Sequence, residues 1–210
     1  MKRAWLFSVV VVAGGAALAG CSGDNVTADG AAGSTAAAGS AGASAHPPAQ
    51  GNMTLLLQQV KPTSCPVASK TYQVGNPQAP TSSSVGDRLI DGEAGAKVSC
   101  VVRGGGPYFF SGSIQGQSSE LAKVTLIVKN GIIDADEQTG TATISVYTPE
   151  LADVFHSTEG GCTVSVVAQN VKPGSLWATF SCPSVSSSST GAACGIGAIS
   201  TFVLENCEAS

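Results

Sequence analysis

From Met53 onward the chain is written in short runs in which apolar side chains recur at every second position, and each run is stopped by Gly, Pro, Asn, Asp or Ser. A period of two places successive side chains on opposite faces of an extended backbone, so these runs predict half-buried β-strands rather than helices. Val98, Cys100 and Val102 share one face of residues 96–103; Tyr108, Phe110, Gly112 and Ile114 share one face of the following run. Gly104-Gly105-Gly106-Pro107 lies between them, which predicts a hairpin. Residues 121–129 place Val124, Leu126 and Val128 inward, with Lys123 and Lys129 outward, and residues 141–148 place Ala142, Ile144 and Val146 inward. Cys162, Val164, Val166 and Ala168 form a further inward set. Lys172-Pro173-Gly174 joins that run to residues 176–182, where Leu176, Ala178, Phe180 and Cys182 point inward and Trp177 outward. Weaker strands are predicted at 54–60 and 70–74, and a last one at 198–207. Asn130-Gly131 predicts a tight turn. Thr148-Pro149 predicts a helix of one or two turns reaching Phe155, with Thr148 as N-cap. The expected fold is all-β, an antiparallel β-sandwich or partly closed barrel of about eight strands with at most one short helix.

The N-terminus has a different character. Lys2 and Arg3 precede residues 5–18, which are apolar apart from Ser8. That is the layout of a secretory signal, and the run is shorter than the ~20 apolar residues a transmembrane helix needs. Leu18-Ala19-Gly20-Cys21 closes it. A branched aliphatic residue, two small residues and Cys in this position resemble the lipobox of bacterial lipoproteins. The resemblance covers the leader alone. It implies cleavage before Cys21, a diacylglyceryl group on the Cys21 sulfur and an acyl chain on the new amine. Residues 1–20 are then a signal peptide, and the protein is anchored in the bacterial cell envelope. Ser22, rather than Asp, after the Cys favours the outer membrane by analogy with lipoprotein sorting in enteric bacteria; the leaflet is left open. Residues 22–52 contain no Leu, Ile, Phe, Tyr or Trp. Too little apolar surface is present to offset ordering entropy, so residues 21–52 read as the lipidated Cys and a disordered tether, spanning roughly 30 Å root-mean-square. His46 lies in this stretch and reads as a solvated linker residue. Residues 53–210 form the folded domain.

Assigning Cys21 to lipid leaves Cys65, Cys100, Cys162, Cys182, Cys194 and Cys207. An even number in an exported, oxidising compartment predicts three disulfides. The expected pairing is Cys182–Cys194 across a Ser-rich loop, Cys162–Cys207 and Cys65–Cys100. No C-x-x-C spacing occurs and the chain has two His, so no Cys/His metal site and no cofactor are expected.

Ten Lys and Arg stand against 14 Asp and Glu. Cleavage before Cys21 removes two cations and no acids, leaving eight against 14, a charge of −6. That balance argues against nucleic acid and against a polybasic membrane-binding surface. His156 is the one His of residues 53–210, beside Ser157 and near Asp153, but no nucleophile-elbow pattern surrounds it; it reads as a surface residue ending the short helix. Asp134, Asp136 and Glu137 are the densest acids. Their spacing starts like an EF-hand loop, then fails at Thr139 and Ser145, where Gly and Glu are required; a loose Ca²⁺ site is the alternative to a solvated loop. Phe109 and Trp177 fall on outward positions and would form a sugar- or protein-binding strip if they adjoin. The sequence therefore predicts a lipid-anchored envelope protein with a non-catalytic β-domain, structural or partner-binding. Its partners are the membrane, through the lipid on Cys21, and an envelope protein or glycan. A carbohydrate- or small-ligand-binding module is the alternative, and a hydrolase is the weakest of the three readings.

Overall fold

The computed structural model describes residues 46–60, 65–76, 88–134, 137–166 and 170–209. The leader, Cys21 and the tether up to residue 45 lie outside them. Among the described residues, the alternating runs become strands: β1 (Gln50–Gln59), β2 (Lys70–Val74), β3 (Leu89–Ile90), β4 (Lys97–Gly104), β5 (Tyr108–Gln117), β6 (Lys123–Ile133), β7 (Thr139–Tyr147), β8 (Phe155–His156), β9 (Cys162–Ser165, with Ala168 outside the described residues), β10 (Val171–Lys172), β11 (Ser175–Ser186) and β12 (Ala193–Glu205). The fold is all-β. The count exceeds the expected eight because β3, β8 and β10 are two-residue segments and β9 has four.

All twelve belong to one antiparallel sheet in the order β2-β1-β12-β11-β8-β7-β6-β5-β4, with β9 bridging β11 and β7, β10 on β11, and β3 on β1. The sheet curls into a partial ring around one apolar core, so that β5 faces β12 across the interior. Phe110 on β5 packs against Phe202 on β12 at 6.2 Å between ring centroids, and Phe202 against Phe180 on β11 at 5.5 Å. Met53, Leu55, Leu57, Leu126, Ile144 and Leu176 are among the fully buried side chains, each contributing roughly 1.5–3 kcal/mol by leaving water. The walls come closest at the glycines of β5. A Cβ on Gly112 would lie 3.0 Å from Leu204 Cδ1, and one on Gly116 2.7 Å from Val74 Cγ1.

The ring is sealed at β4. The outward-edge groups of this strand are taken by other parts of the chain: the Val98 amide donates to Asp91 Oδ1 at 2.8 Å, the Val102 amide to the Glu208 carbonyl at 2.9 Å, the Glu208 amide to the Cys100 carbonyl at 3.1 Å, and the Gly174 amide to the Val102 carbonyl at 2.9 Å. An unpaired strand edge invites pairing with another chain; here the C-terminal tail and the β10–β11 turn occupy it.

Three expectations are corrected. Asn130-Gly131 is not a hairpin turn. Both residues lie inside β6, where Gly131 pairs with Phe110 and Val128 with Gly112, so β6 spends one residue more than its neighbour. The same extra residue appears against β7, between Lys129–Thr143 and Ile132–Thr141. This is a β-bulge, with Asn130 in the left-handed region at φ 51°. The helix after Thr148 is one 3₁₀ turn, Pro149–Leu151, and Thr148 makes no capping bond; its hydroxyl donates to Tyr72 OH at 3.4 Å instead. The disulfides are Cys65–Cys194, Cys100–Cys207 and Cys162–Cys182, so three are present but none of the expected pairs. Strand register explains each. Thr163 pairs with Ser181, which sets Cys162 opposite Cys182. Cys194 pairs with Gln59 at the end of β1, and Cys65 lies just beyond it. The tail that seals β4 carries Cys207 to Cys100.

Candidate functional site

The outer face of β4–β7 is an ordered grid because four long strands run side by side, in continuous register except at the β6 bulge. Its first row reads Lys97, Gln115, Thr125, Tyr147; its second, Ser99, Ser113, Ile127, Ser145. Val101 and Ser111 face each other in the third row, Lys129 and Thr143 continue it, and Arg103, Phe109, Ile132 and Thr141 make the fourth. Two residues along a strand advance ~7 Å, so the grid spans roughly 20 Å along the strands and ~14 Å across them.

The bulge builds one end of this face. Before it, odd-numbered residues of β6 point outward; after it, Ile132 does, while Ile133 is buried. The extra residue thereby puts Ile132 directly beside Phe109. Gly131 supplies the close approach beneath: a Cβ there would stand 2.4 Å from the Phe110 ring. The result is a cleft of about 470 Å³ lined by Val101, Arg103, Phe109, Ser111, Asn130 and Ile132, among others. Phe109 is 50% exposed and Ile132 41%. A second cleft of about 240 Å³ lies at the opposite end, where Gln115, Lys123, Thr125 and Tyr147 meet. Hydroxyls and amides pair across strands: Ser99 with Ser113 at 2.9 Å between the clefts, and Gln115 with Thr125 at 3.2 Å within the second.

Charge on this face is one-sided. Lys97, Arg103, Lys123 and Lys129 occupy outward positions of β4–β7, and no Asp or Glu does. Residues 53–210 carry eight Lys and Arg against twelve Asp and Glu, so half the cations of an acidic domain stand here. Ion pairs among the described residues are made elsewhere, by Lys70 with Glu120 and Glu150 and by Arg88 with Glu205. Two acidic segments border the face: exposed Glu208, whose backbone bridges Val101 at the edge of β4, and the β6–β7 loop, which begins at Asp134.

The other expected residues disperse. Trp177 on β11 faces outward, partly covered, at a small cleft with Ser165, Val166 and Thr179. Phe109 and Trp177 do not form one strip: β6, β7 and β9 intervene, about 19 Å of sheet at ordinary strand spacing. The Trp177 Nε1 is buried without a hydrogen-bond partner among the described residues. Asp134 and Glu137 are exposed, Asp136 lies outside the described residues, and no group of three metal-ligating side chains occurs among the described residues. Cys21 lies outside them as well. His156 is not at a helix end; it is on β8, with Nδ1 2.8 Å from the hydroxyl of Ser145 on β7. Asp153 accepts from Ser187 Oγ at 2.6 Å and Ser189 Oγ at 2.5 Å, which hold its carboxyl down at about 2, with His156 close enough to add to the effect. Ser145 is 6% exposed and, beside the imidazole, lies at the floor of the second cleft.

Sequence reasoning placed Phe109, Lys123 and Lys129 outward but did not assemble the grid. The signal was available in the parity of β4–β6, which sets Lys97 and Arg103 on the same side. Ile132 was hidden, because one inserted residue reverses parity. Fold and site together define a disulfide-locked, all-β domain with a cationic, hydroxyl-rich outer face and an aromatic cleft at one end. Comparison with protein-family models, with curated proteins and with solved structures finds no match for this chain.

Proposed function

We propose that this is a lipid-anchored protein of the bacterial cell envelope whose non-catalytic β-domain binds a partner through the outer face of β4–β7. The half-exposed Phe109, set in a cleft beside Arg103, is the observation that carries the binding role. An aromatic ring left open to water in a concave, partly polar site is the common form of a ligand platform. Leu18-Ala19-Gly20-Cys21 supports the anchor, and the tether after it supports a domain standing clear of the lipid. The non-catalytic part rests on Ser145, His156 and Asp153: the first is covered and the third is engaged by Ser187 and Ser189. Labelled palmitate supplied to cells tests the anchor. The wild-type protein incorporates it and the Cys21→Ser variant does not; incorporation by the variant refutes lipidation at Cys21. A carbohydrate ligand is favoured over a protein partner by the rows of Ser and Thr hydroxyls that continue from the cleft.

A further inference from the structure

We infer that the outer face of β4–β7 binds an extended acidic polysaccharide, seated lengthwise along the strands with Phe109 and Tyr147 as its terminal sugar platforms. The inference rests on the partner-binding reading above and names the class of partner. Four observations bear on it. First, the face has an aromatic ring at each end, Phe109 beside Arg103 and Tyr147 near Lys123, roughly 20 Å apart by strand rise. A single small ligand does not reach both; a chain of sugars does. Second, the ground between the rings is mostly hydroxyl and amide, broken by Val101 and Ile127, which matches the mixed polar and apolar surface of a saccharide. Third, four cations and no carboxylate occupy the outward positions of these strands in a domain that is acidic as a whole. None of the four is in an ion pair with a described residue. Their charges add into a positive field over the face, which favours an anionic ligand. Fourth, the surface is held by strand pairing, so an extended ligand meets a pre-formed platform and little ordering entropy is lost on the protein side.

The stacking contact and the ionic contacts divide the work. Phe109 offers one ring face to the apolar side of a sugar, and Tyr147 a second. Arg103 presents a planar donor fork suited to a carboxylate. Lys97, Lys123 and Lys129 act as point charges, whose effect falls with salt. A protein partner of acidic surface would use the same cations but has no need of two separated sugar platforms.

The test is calorimetric titration of the purified full chain in detergent with polygalacturonate, and with neutral dextran as its uncharged counterpart. Polygalacturonate is expected to bind and dextran to bind far more weakly, with the difference shrinking towards ~0.5 M salt as charge is screened. Phe109→Ala is expected to weaken polygalacturonate binding about tenfold, and Arg103→Gln about threefold to fivefold. Lys172→Gln, which removes an exposed cation on β10, leaves it unchanged. Thermal melts of the variants match the wild type, because these side chains are exposed. Equal binding of dextran overturns the acidic character of the ligand. Loss of affinity in Lys172→Gln equal to that in Arg103→Gln overturns the site, as does absence of polygalacturonate binding. Vesicles of phosphatidylcholine with and without phosphatidylglycerol separate a lipid surface from a glycan: a phosphatidylglycerol-dependent gain that Arg103→Gln abolishes, without polygalacturonate binding, overturns the inference in favour of a membrane. Palmitate incorporation at Cys21 is read independently, so a failed titration with intact labelling sinks the polysaccharide alone.

Discussion

At the scale of single residues, Glu150 does the most to fix one end of the ring. It follows Pro149 in the 3₁₀ turn after β7, where it accepts from Lys70 Nζ at 2.8 Å and from Tyr72 OH at 3.0 Å, both on β2. Thr148, fully buried, donates in turn to Tyr72 OH. A strand at one end of the sheet is thereby tied to the turn beyond β7, and Leu151 is pressed into the core. The Lys70 ammonium first, then a backbone hydrogen bond at Glu150, then the Tyr72 and Thr148 hydroxyls hold the Glu150 carboxyl at about 2, against an ordinary value of 4.5. The same contacts raise the Lys70 ammonium, Glu120 most of all and Glu150 next. A carboxyl whose folded value is depressed stabilises the fold fully above its unfolded value and loses that contribution as pH falls towards its folded value. Stability should therefore decline between about pH 4.5 and about pH 2 in the wild type. Glu150→Gln should be less stable at neutral pH by roughly 1 kcal/mol, the pair being partly exposed, and should lack this component of the acid slope. Urea titrations of both proteins across that pH range measure it; parallel slopes would remove Glu150 from the account.

At the scale of elements, β6 shows how one residue decides what a face presents. Asn130 sits at φ 51°, a conformation that Asn tolerates and β-branched residues resist. Asn130→Val should cost about 1–2 kcal/mol, whereas Asn130→Gly should be close to neutral. Equilibrium urea unfolding distinguishes the two, and equal losses would mean that the Asn130 side chain, not the backbone conformation, is what matters. The same bulge marks the limit of what the sequence makes legible. Val124, Leu126, Val128, Ala142, Ile144 and Val146 are buried as their spacing requires, because period-two alternation is a local property of the strand. Asn-Gly favours a left-handed backbone both in a hairpin turn and in a bulge. Which one forms depends on whether neighbouring strands continue past it, and β5 and β7 both do. The short helix failed for a related reason: Thr148 and Pro149 suit a helix start, but the Thr148 hydroxyl finds Tyr72, 76 residues away, and the chain returns to extended β8 after one turn.

At the scale of the whole molecule, the question is what keeps a curled sheet from opening, and disulfide pairing answers a part that sequence spacing does not contain. Sequence parity says that six Cys face the interior or the strand ends; only the curled sheet says which ones meet. Cys162–Cys182 staples strands that are already neighbours in the ladder, at a sequence separation of 20. Cys100–Cys207, at a separation of 107, staples the seam itself, joining β4 to the tail that covers its edge. In the chain-entropy account, a cross-link that closes a longer loop removes more freedom from the unfolded chain, so losing either bridge should cost about 2–5 kcal/mol, with the larger cost at Cys100–Cys207. The two losses also differ in where they are felt. The Val102 amide donates to the Glu208 carbonyl, next to Cys207, and the Val98 amide to Asp91. Replacing Cys100 and Cys207 together by Ala frees the tail to leave β4 in a local opening that does not require global unfolding. Replacing Cys162 and Cys182 by Ala lowers global stability but leaves the seam bridged. Native-state hydrogen exchange should then show the Val102 amide exchanging far ahead of the Leu126 and Ile144 amides in the first variant, and in step with global unfolding in the second. If Val102 stays as protected as those core amides when Cys100 and Cys207 are Ala, the hydrogen bonds of the tail suffice to close the ring, and the bridge serves only to restrict the unfolded chain.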